Sequence, residues 1–140
     1  MGVSIYATNS KYEFDMWYFG FFRLRSEIAC ALDAEFGEHY RRLFYFNTPS
    51  DLMDHDRVAD LIIKKNGLEE KGADIIDFLY ESDTNGEISY KTCGKIYELI
   101  KDLDFGKKGF RYGAYSKNDY EEFKAFLKDC YSKKKKMRWS

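Results

Sequence analysis

The stretch whose reading decides the fold runs from Ala73 to Asp102: ADIIDFLY, then ESDTNGEISYKT, then CGKIYELIKD. Its first part places Ile75, Ile76 and Leu79 on one side of a helix over about 71–80. Its last part repeats Cys93, Ile96, Tyr97 and Ile100 near helical spacing and carries on to Leu103. Between them Asp83, Asn85 and Gly86 are turn formers, and the hydroxyl of Ser89 is placed to cap the second helix. The stretch therefore predicts two helices joined by a short turn.

Working outward, Thr48-Pro49-Ser50-Asp51 supplies an N-cap hydroxyl, proline in the first helical position and an acid three residues after the threonine. A helix through Val58, Leu61 and Ile62 to a stop at Gly67 follows from it. Upstream, Phe21, Leu24, Ile28, Ala31, Leu32 and Phe36 recur at helical spacing over about 18–36, with Gly37 as a stop. Leu43–Phe46 is ambiguous between helix and strand. At the start, Val3, Ile5 and Ala7 alternate with Ser4, Tyr6 and Thr8, a strand pattern, and SKYEFD reads as the loop after it. Downstream, FRYGAY (110–115) is a candidate strand, and Asn118 with Glu121 opens a last helix carrying Tyr120, Phe123, Phe126, Leu127 and Cys130. The expectation is an α+β, mostly helical single domain of about five helices with a two- or three-stranded sheet over residues 1–132. A basic tail, KKKKMRWS, occupies 133–140.

Composition narrows the class. The 140 residues suit one domain, and 44% hydrophobic content supports a core beside 34% charged residues. The chain holds 12 Phe, 12 Tyr and 2 Trp. Twelve phenols are hard to bury together, because each hydroxyl wants a partner, so some are expected on a binding face. No run of 18 apolar residues occurs, and MGVSIYATNS lacks the basic and apolar parts of a secretory signal. Cys30, Cys93 and Cys130 are odd in number and far apart, which reads as buried thiols of a cytoplasmic protein. Charge is uneven: residues 1–100 carry 11 Lys/Arg against 18 Asp/Glu, and residues 101–140 carry 12 against 6. That asymmetry, with spare aromatics, is compatible with self-association.

The turn at 81–92 has the outline of a calcium-binding EF-hand loop, with Glu81, Asp83, Asn85 and Glu87 as candidate ligands around Gly86. Glu81 is long for the first position, and Thr92 stands where a bidentate carboxylate is needed, so any calcium held there is held weakly. An ordinary turn is the simpler account. No cofactor is expected. His39 and His55 lack ligand spacing to a cysteine or carboxylate, and no GxSxG, HExxH, CxxC or Walker motif occurs, so no enzyme is expected either.

Two basic features invite a ligand. Arg23 and Arg25 lie inside the aromatic run WYFGFFRLR, where the simpler role is structural. Lys107, Lys108, Arg111, Tyr112 and Tyr115 mix cations with rings, a mixture suited to a nucleotide or a single strand. The lysine run at 133–136 would add phosphate attraction.

Most of the chain resembles a group of small, functionally unassigned proteins encoded by phages and prophages of Gram-positive bacteria. The resemblance rests on MGVSIY (1–6), FGFFRLRSEIACALDAEFG (19–37), FLYESDTNGEISYKTCGKIYELIKD (78–102) and MRW (137–139). It implies the bacterial cytoplasm as setting and, by analogy with other small accessory proteins there, inhibition of a host factor. The leading expectation is thus a non-enzymatic accessory binding protein of the anti-defence type. It would occlude a host protein or sequester a small nucleotide. The alternative is a nucleic-acid-binding module that uses the basic, aromatic C-terminal segment.

Overall fold

The computed structural model describes residues 2–46, 48–106 and 119–140. It is an α+β, mostly helical domain. The order is β1 (Gly2–Tyr6), β2 (Glu13–Trp17), α1 (Tyr18–Leu32), α2 (Ala34–Arg41), a 3-10 turn (Arg42–Tyr45), α3 (Pro49–Lys65) and α4 (Leu68–Tyr80). Then come β3 (Gly86–Ile88), α5 (Tyr90–Ile100), α6 (Asp119–Ser132) and β4 (Met137–Trp139). The strand expected over 110–115 and the cap expected at Asn118 lie outside the described residues.

Local signals held where they are satisfied locally. The Thr48 hydroxyl accepts from the Asp51 amide and the Ser89 hydroxyl from the Thr92 amide, so α3 and α5 begin as expected. Gly67, at φ 62°, takes the left-handed position between α3 and α4. The long helix expected over 18–36 is instead two helices. Asp33 is extended, and its carboxylate accepts from the Phe36 amide to start α2. Gly37 does not stop a helix; it lies inside α2 against α1, where a Cβ would sit 2.4 Å from the Cys30 Cα. A close backbone approach between helices, rather than a turn, requires that glycine.

The sheet has more strands than expected. All four pair antiparallel in the order β2-β1-β4-β3. Residues 13–17, read from sequence partly as a loop, alternate like a strand: Phe14 and Met16 are buried, Glu13 and Asp15 exposed. The expected basic tail is corrected in the same way. Met137 and Trp139 are buried and β4 joins β1 to β3, because an apolar–polar–apolar triplet follows the lysines. The buried face of the sheet packs on helices. Phe14 meets Phe123 and Phe126 of α6 at 5.8 and 5.5 Å, and Trp139 meets Phe21 of α1 and Phe78 of α4 at 5.7 and 5.4 Å. No helix among the described residues is long and apolar enough to cross a membrane.

Candidate functional site

The two arginines in the aromatic run go to different places. Two residues apart on a helix, they project roughly 160° apart. Arg25 is buried. Its Nη1 donates to the Glu81 carbonyl at 2.8 Å and its Nη2 to the Ser82 carbonyl at 3.3 Å. Its guanidinium lies over the Phe21 ring at 4.2 Å and near Phe78 and Trp139 at 5.0 and 5.5 Å. Burial pulls its pKa below the ordinary arginine value, while Tyr40, Asp83 and Glu81 act to keep it charged. The residue is a clamp between α1 and the loop after α4. Arg23 turns toward α6, beside the Tyr120 phenol, whose pKa burial pushes up to about 12. Lys107, Lys108, Arg111, Tyr112 and Tyr115 lie outside the described residues.

The loop at 81–88 does not take the form of the weak calcium-loop candidate. The sixth-position glycine of such a loop makes a sharp turn, yet Gly86 is not among the glycines with positive φ. It lies in β3 beneath the Trp139 indole, where a Cβ would fall 2.2 Å from the ring. Glu87 is ion-paired to Lys136 at 2.7 Å, which holds its carboxyl below the usual range. Ser82 and Thr84 bond to each other. Among the described residues no three His, Cys, Asp or Glu side chains are grouped to hold a metal.

The lysines at 133–136 are likewise largely engaged by the fold. Lys133 pairs with Asp129 at 2.8 Å, Lys136 with Glu87, and Lys135 donates to the Asn9 carbonyl at 3.0 Å. Lys134 alone of the four makes neither an ion pair nor a side-chain hydrogen bond among the described residues. It occupies the left-handed position, φ 53°, that closes α6: the Lys135 amide reaches back to the Cys130 carbonyl and the Lys134 amide to that of Tyr131. Glycine or asparagine normally sits there, so lysine costs about 1 kcal/mol of backbone strain.

Lys134 lines a groove of ≈1180 Å³ that is open to solvent between α5 and α6. Lys91, Gly94, Lys95 and Glu98 are spaced along one face of α5, Lys128, Tyr131 and Ser132 along one face of α6, and Lys71 and Ile75 of α4 close one side. Leu32, Ile75 and Leu99 give it an apolar floor. The Tyr131 ring rests on the α5 backbone at Gly94, where a Cβ would lie 2.4 Å from its Cδ1. Tyr131 stays 53% exposed, and its ring stands 6.2 Å from that of Tyr90 at a 39° tilt. Five lysines face the groove against one carboxylate, Glu98. Lys95 is bound to Asp74 at 3.2 Å and Glu98 to Lys101 at 2.6 Å. Lys71, Lys91, Lys128 and Lys134 make no ion pair among the described residues. Such a lining sets positive charge beside an exposed ring, an arrangement chemically suited to anions and to stacking.

Sequence reasoning missed this groove, although one signal was present. Tyr90, Lys91, Gly94, Lys95, Tyr97 and Glu98 form a stripe on α5 that resembles any solvated helix face until α6 is laid beside it.

A second polar feature joins α2 to α3. His39 and His55 stack at 4.0 Å, and each Nε2 lies within 3.0 Å of the other's backbone carbonyl. A carbonyl can only accept, so each Nε2 carries the hydrogen. The Nδ1 of His55 is buried without a hydrogen bond, 3.7 Å from Asp56. Burial lowers the His55 pKa below its ordinary value; the hydrogen bond to the His39 carbonyl and the Asp56 carboxylate oppose this, while the His39 ring adds to it. The unfolded chain takes up this proton from about pH 6.5 downward and the folded one only at lower pH. Stability that is fully present above about pH 6.5 is therefore lost as the pH falls through the folded pKa. Urea midpoints at about pH 7.5 and 5.5 should fall more for the natural protein than for His55→Gln. At the higher pH that variant should itself be weaker by about 1–3 kcal/mol, from the carbonyl it strands. Equal pH sensitivity in the two proteins would refute the assignment.

Compared with known protein families, curated proteins and solved structures, the chain has no match.

Proposed function

We propose that the chain is a non-enzymatic binding protein whose α5–α6 groove takes a single strand of nucleic acid. The observation that carries this reading is the Tyr131 ring, packed on Gly94 yet 53% exposed, in a groove shared with Lys71, Lys91, Lys128 and Lys134, which make no ion pair among the described residues. Base stacking on such a ring contributes about 1–3 kcal/mol and tolerates any sequence, while lysines neutralise the phosphates on either side. The groove favours a strand over the sequestered nucleotide expected from sequence. It is open, and at ≈1180 Å³ it exceeds the roughly 300–1,000 Å³ of pockets that enclose small ligands. Its lining holds cations and rings. The thiols of Cys93 and Cys130 lie buried, and the hydrogen bond between them together with burial raises the Cys93 pKa well above the ordinary thiol value. In the phage setting that the resemblance implies, the role would be interference with a host factor that acts on nucleic acid.

Fluorescence anisotropy with a labelled strand of roughly 12 nucleotides tests this. Binding should weaken between about 50 and 200 mM salt, with a log–log slope of about −2 to −3 for three or four phosphates. Tyr131→Ala should weaken it about 5- to 150-fold. Lys91→Ala and Lys128→Ala should each reduce the slope by about 0.7. Lys134→Gly separates function from fold: it should weaken binding while raising stability by about 1 kcal/mol. No binding at the lower salt would sink the reading. Equal affinity for a mononucleotide would return it to nucleotide sequestration.

A further inference from the structure

A second cavity, ≈360 Å³ in volume, opens among the start of α1, the 3-10 turn and the end of α4. Its walls are rings: Tyr18, Phe22, Tyr40, Phe44 and Tyr80. Phe22 stacks on Tyr40 at 5.6 Å, and Tyr80 meets Tyr40 edge-on at 5.6 Å. Glu81 and Asp83 also line the cavity, and both are exposed. Asp56 and Asp60 of α3 lie close enough to add to the upward shift that burial imposes on the Tyr80 phenol.

One cation is already present, Arg25, yet its charge is committed. Its Nη atoms hold the Glu81 and Ser82 carbonyls, and its plane faces Phe21 and its neighbours. Against that single guanidinium the lining sets two carboxylates, so the cavity carries a net negative charge beside exposed aromatic faces. Aromatic faces attract cations through their quadrupole, and a carboxylate at the mouth completes the pairing. The volume suits one long side chain rather than a folded element.

We propose that this cavity is a docking site for a partner protein, in which the aromatic walls and the Glu81 and Asp83 carboxylates receive one arginine or lysine side chain of the partner. Flanking contacts are available. Tyr45 is 76% exposed, its ring 5.4 Å from that of Phe44, and Trp17 beside Tyr18 is 47% exposed. Exposed Trp and Tyr around a buried cationic anchor is the composition of binding hot spots. The site is separate in its residues from the lysine groove, so neither reading depends on the other.

The test uses NMR amide shifts of the whole chain titrated with the blocked tripeptide acetyl-Gly-Arg-Gly-amide. Its lysine, norleucine and glutamate counterparts serve as comparisons. The arginine or lysine peptide should shift Phe44, Ser82 and Asp83 saturably below about 10 mM. The norleucine peptide should bind at least about fivefold more weakly. Glu81→Gln with Asp83→Asn should remove that preference while leaving the rest of the spectrum in place. Phe44→Ala, at an exposed position, should weaken the cationic peptides alone. Equal binding of norleucine would overturn the proposal in favour of a plain apolar pocket. Preference for glutamate would overturn it in favour of an anion site at Arg25. No saturable shift up to about 10 mM with any peptide would overturn it outright.

Discussion

Trp139→Ala should destabilise the domain by about 3–5 kcal/mol, a large share of the roughly 5–15 kcal/mol that holds such a domain together. The indole is 1% exposed. It fills the space between Phe21 and Phe78, and its Nε1 donates to the Ser82 carbonyl at 2.9 Å. Alanine leaves a cavity there, and Ser82 loses one of its two donors. The strand matters as much as the ring. In the order β2-β1-β4-β3, β4 is the only link among the described residues between β3 and the hairpin of β1 and β2. Removing residues 137–140 should therefore cost more than the point substitution and leave β3 without a partner. Urea denaturation measures both. Arg138→Ala, at the exposed position between the two buried ones, is the control and should change stability by less than about 0.5 kcal/mol. A loss below about 1 kcal/mol for Trp139→Ala would mean that the ring is not packed as described.

Arg25→Met should cost about 2–4 kcal/mol. Methionine replaces the hydrocarbon stem but neither the fork of hydrogen bonds to Glu81 and Ser82 nor the stacking on Phe21. The Glu81 carbonyl loses a charged donor, and a hydrogen bond of that kind contributes about 1.5–3 kcal/mol. Recovery of the guanidinium's desolvation cost keeps the total below the sum of its contacts. Arg25→Lys should rescue little, because one ammonium cannot reach two carbonyls in a plane while lying flat on a ring. Hydrogen exchange should quicken first at 81–85, the loop that the guanidinium ties down. A role confined to ligand binding predicts the opposite pattern: unchanged denaturation, unchanged exchange and altered affinity. The two substitutions meet at Ser82, whose carbonyl accepts from both Arg25 and Trp139. Their double variant should lose less than the sum of the single losses.

Much of this architecture was legible in the amino-acid order. Helical spacing located α3, α4 and α5, and the Thr48 and Ser89 hydroxyls marked the starts of α3 and α5. Alternation at Val3 and Ile5 marked β1. Each of these is decided within about four residues, by a hydrogen bond or a side-chain row that the local chain completes by itself. The hairpin partner was also visible, since Phe14 and Met16 alternate, but the polar residues around them disguised it.

What only the tertiary structure decided depends on segments distant in the chain. The Ser140 amide bonds to the Ser4 carbonyl at 3.1 Å, and the Ser4 amide to the Ser140 carbonyl at 2.9 Å, which turns an expected basic tail into part of the sheet. Gly37 and Gly86 read as turn glycines, yet they are needed because a helix and an indole from elsewhere come too close for a Cβ. The same holds for the candidate sites. Arg25 became a clamp because the Glu81 and Ser82 carbonyls, 56 and 57 residues away, needed donors. The groove lysines were drawn from α4, α5 and the end of α6 into one field. The sequence by itself determined which segments would be helices and where most of them would begin, because short-range bonding settles that. Only packing decided which cations stay unpaired and which rings keep an open face, because both are properties of surfaces built from several segments at once.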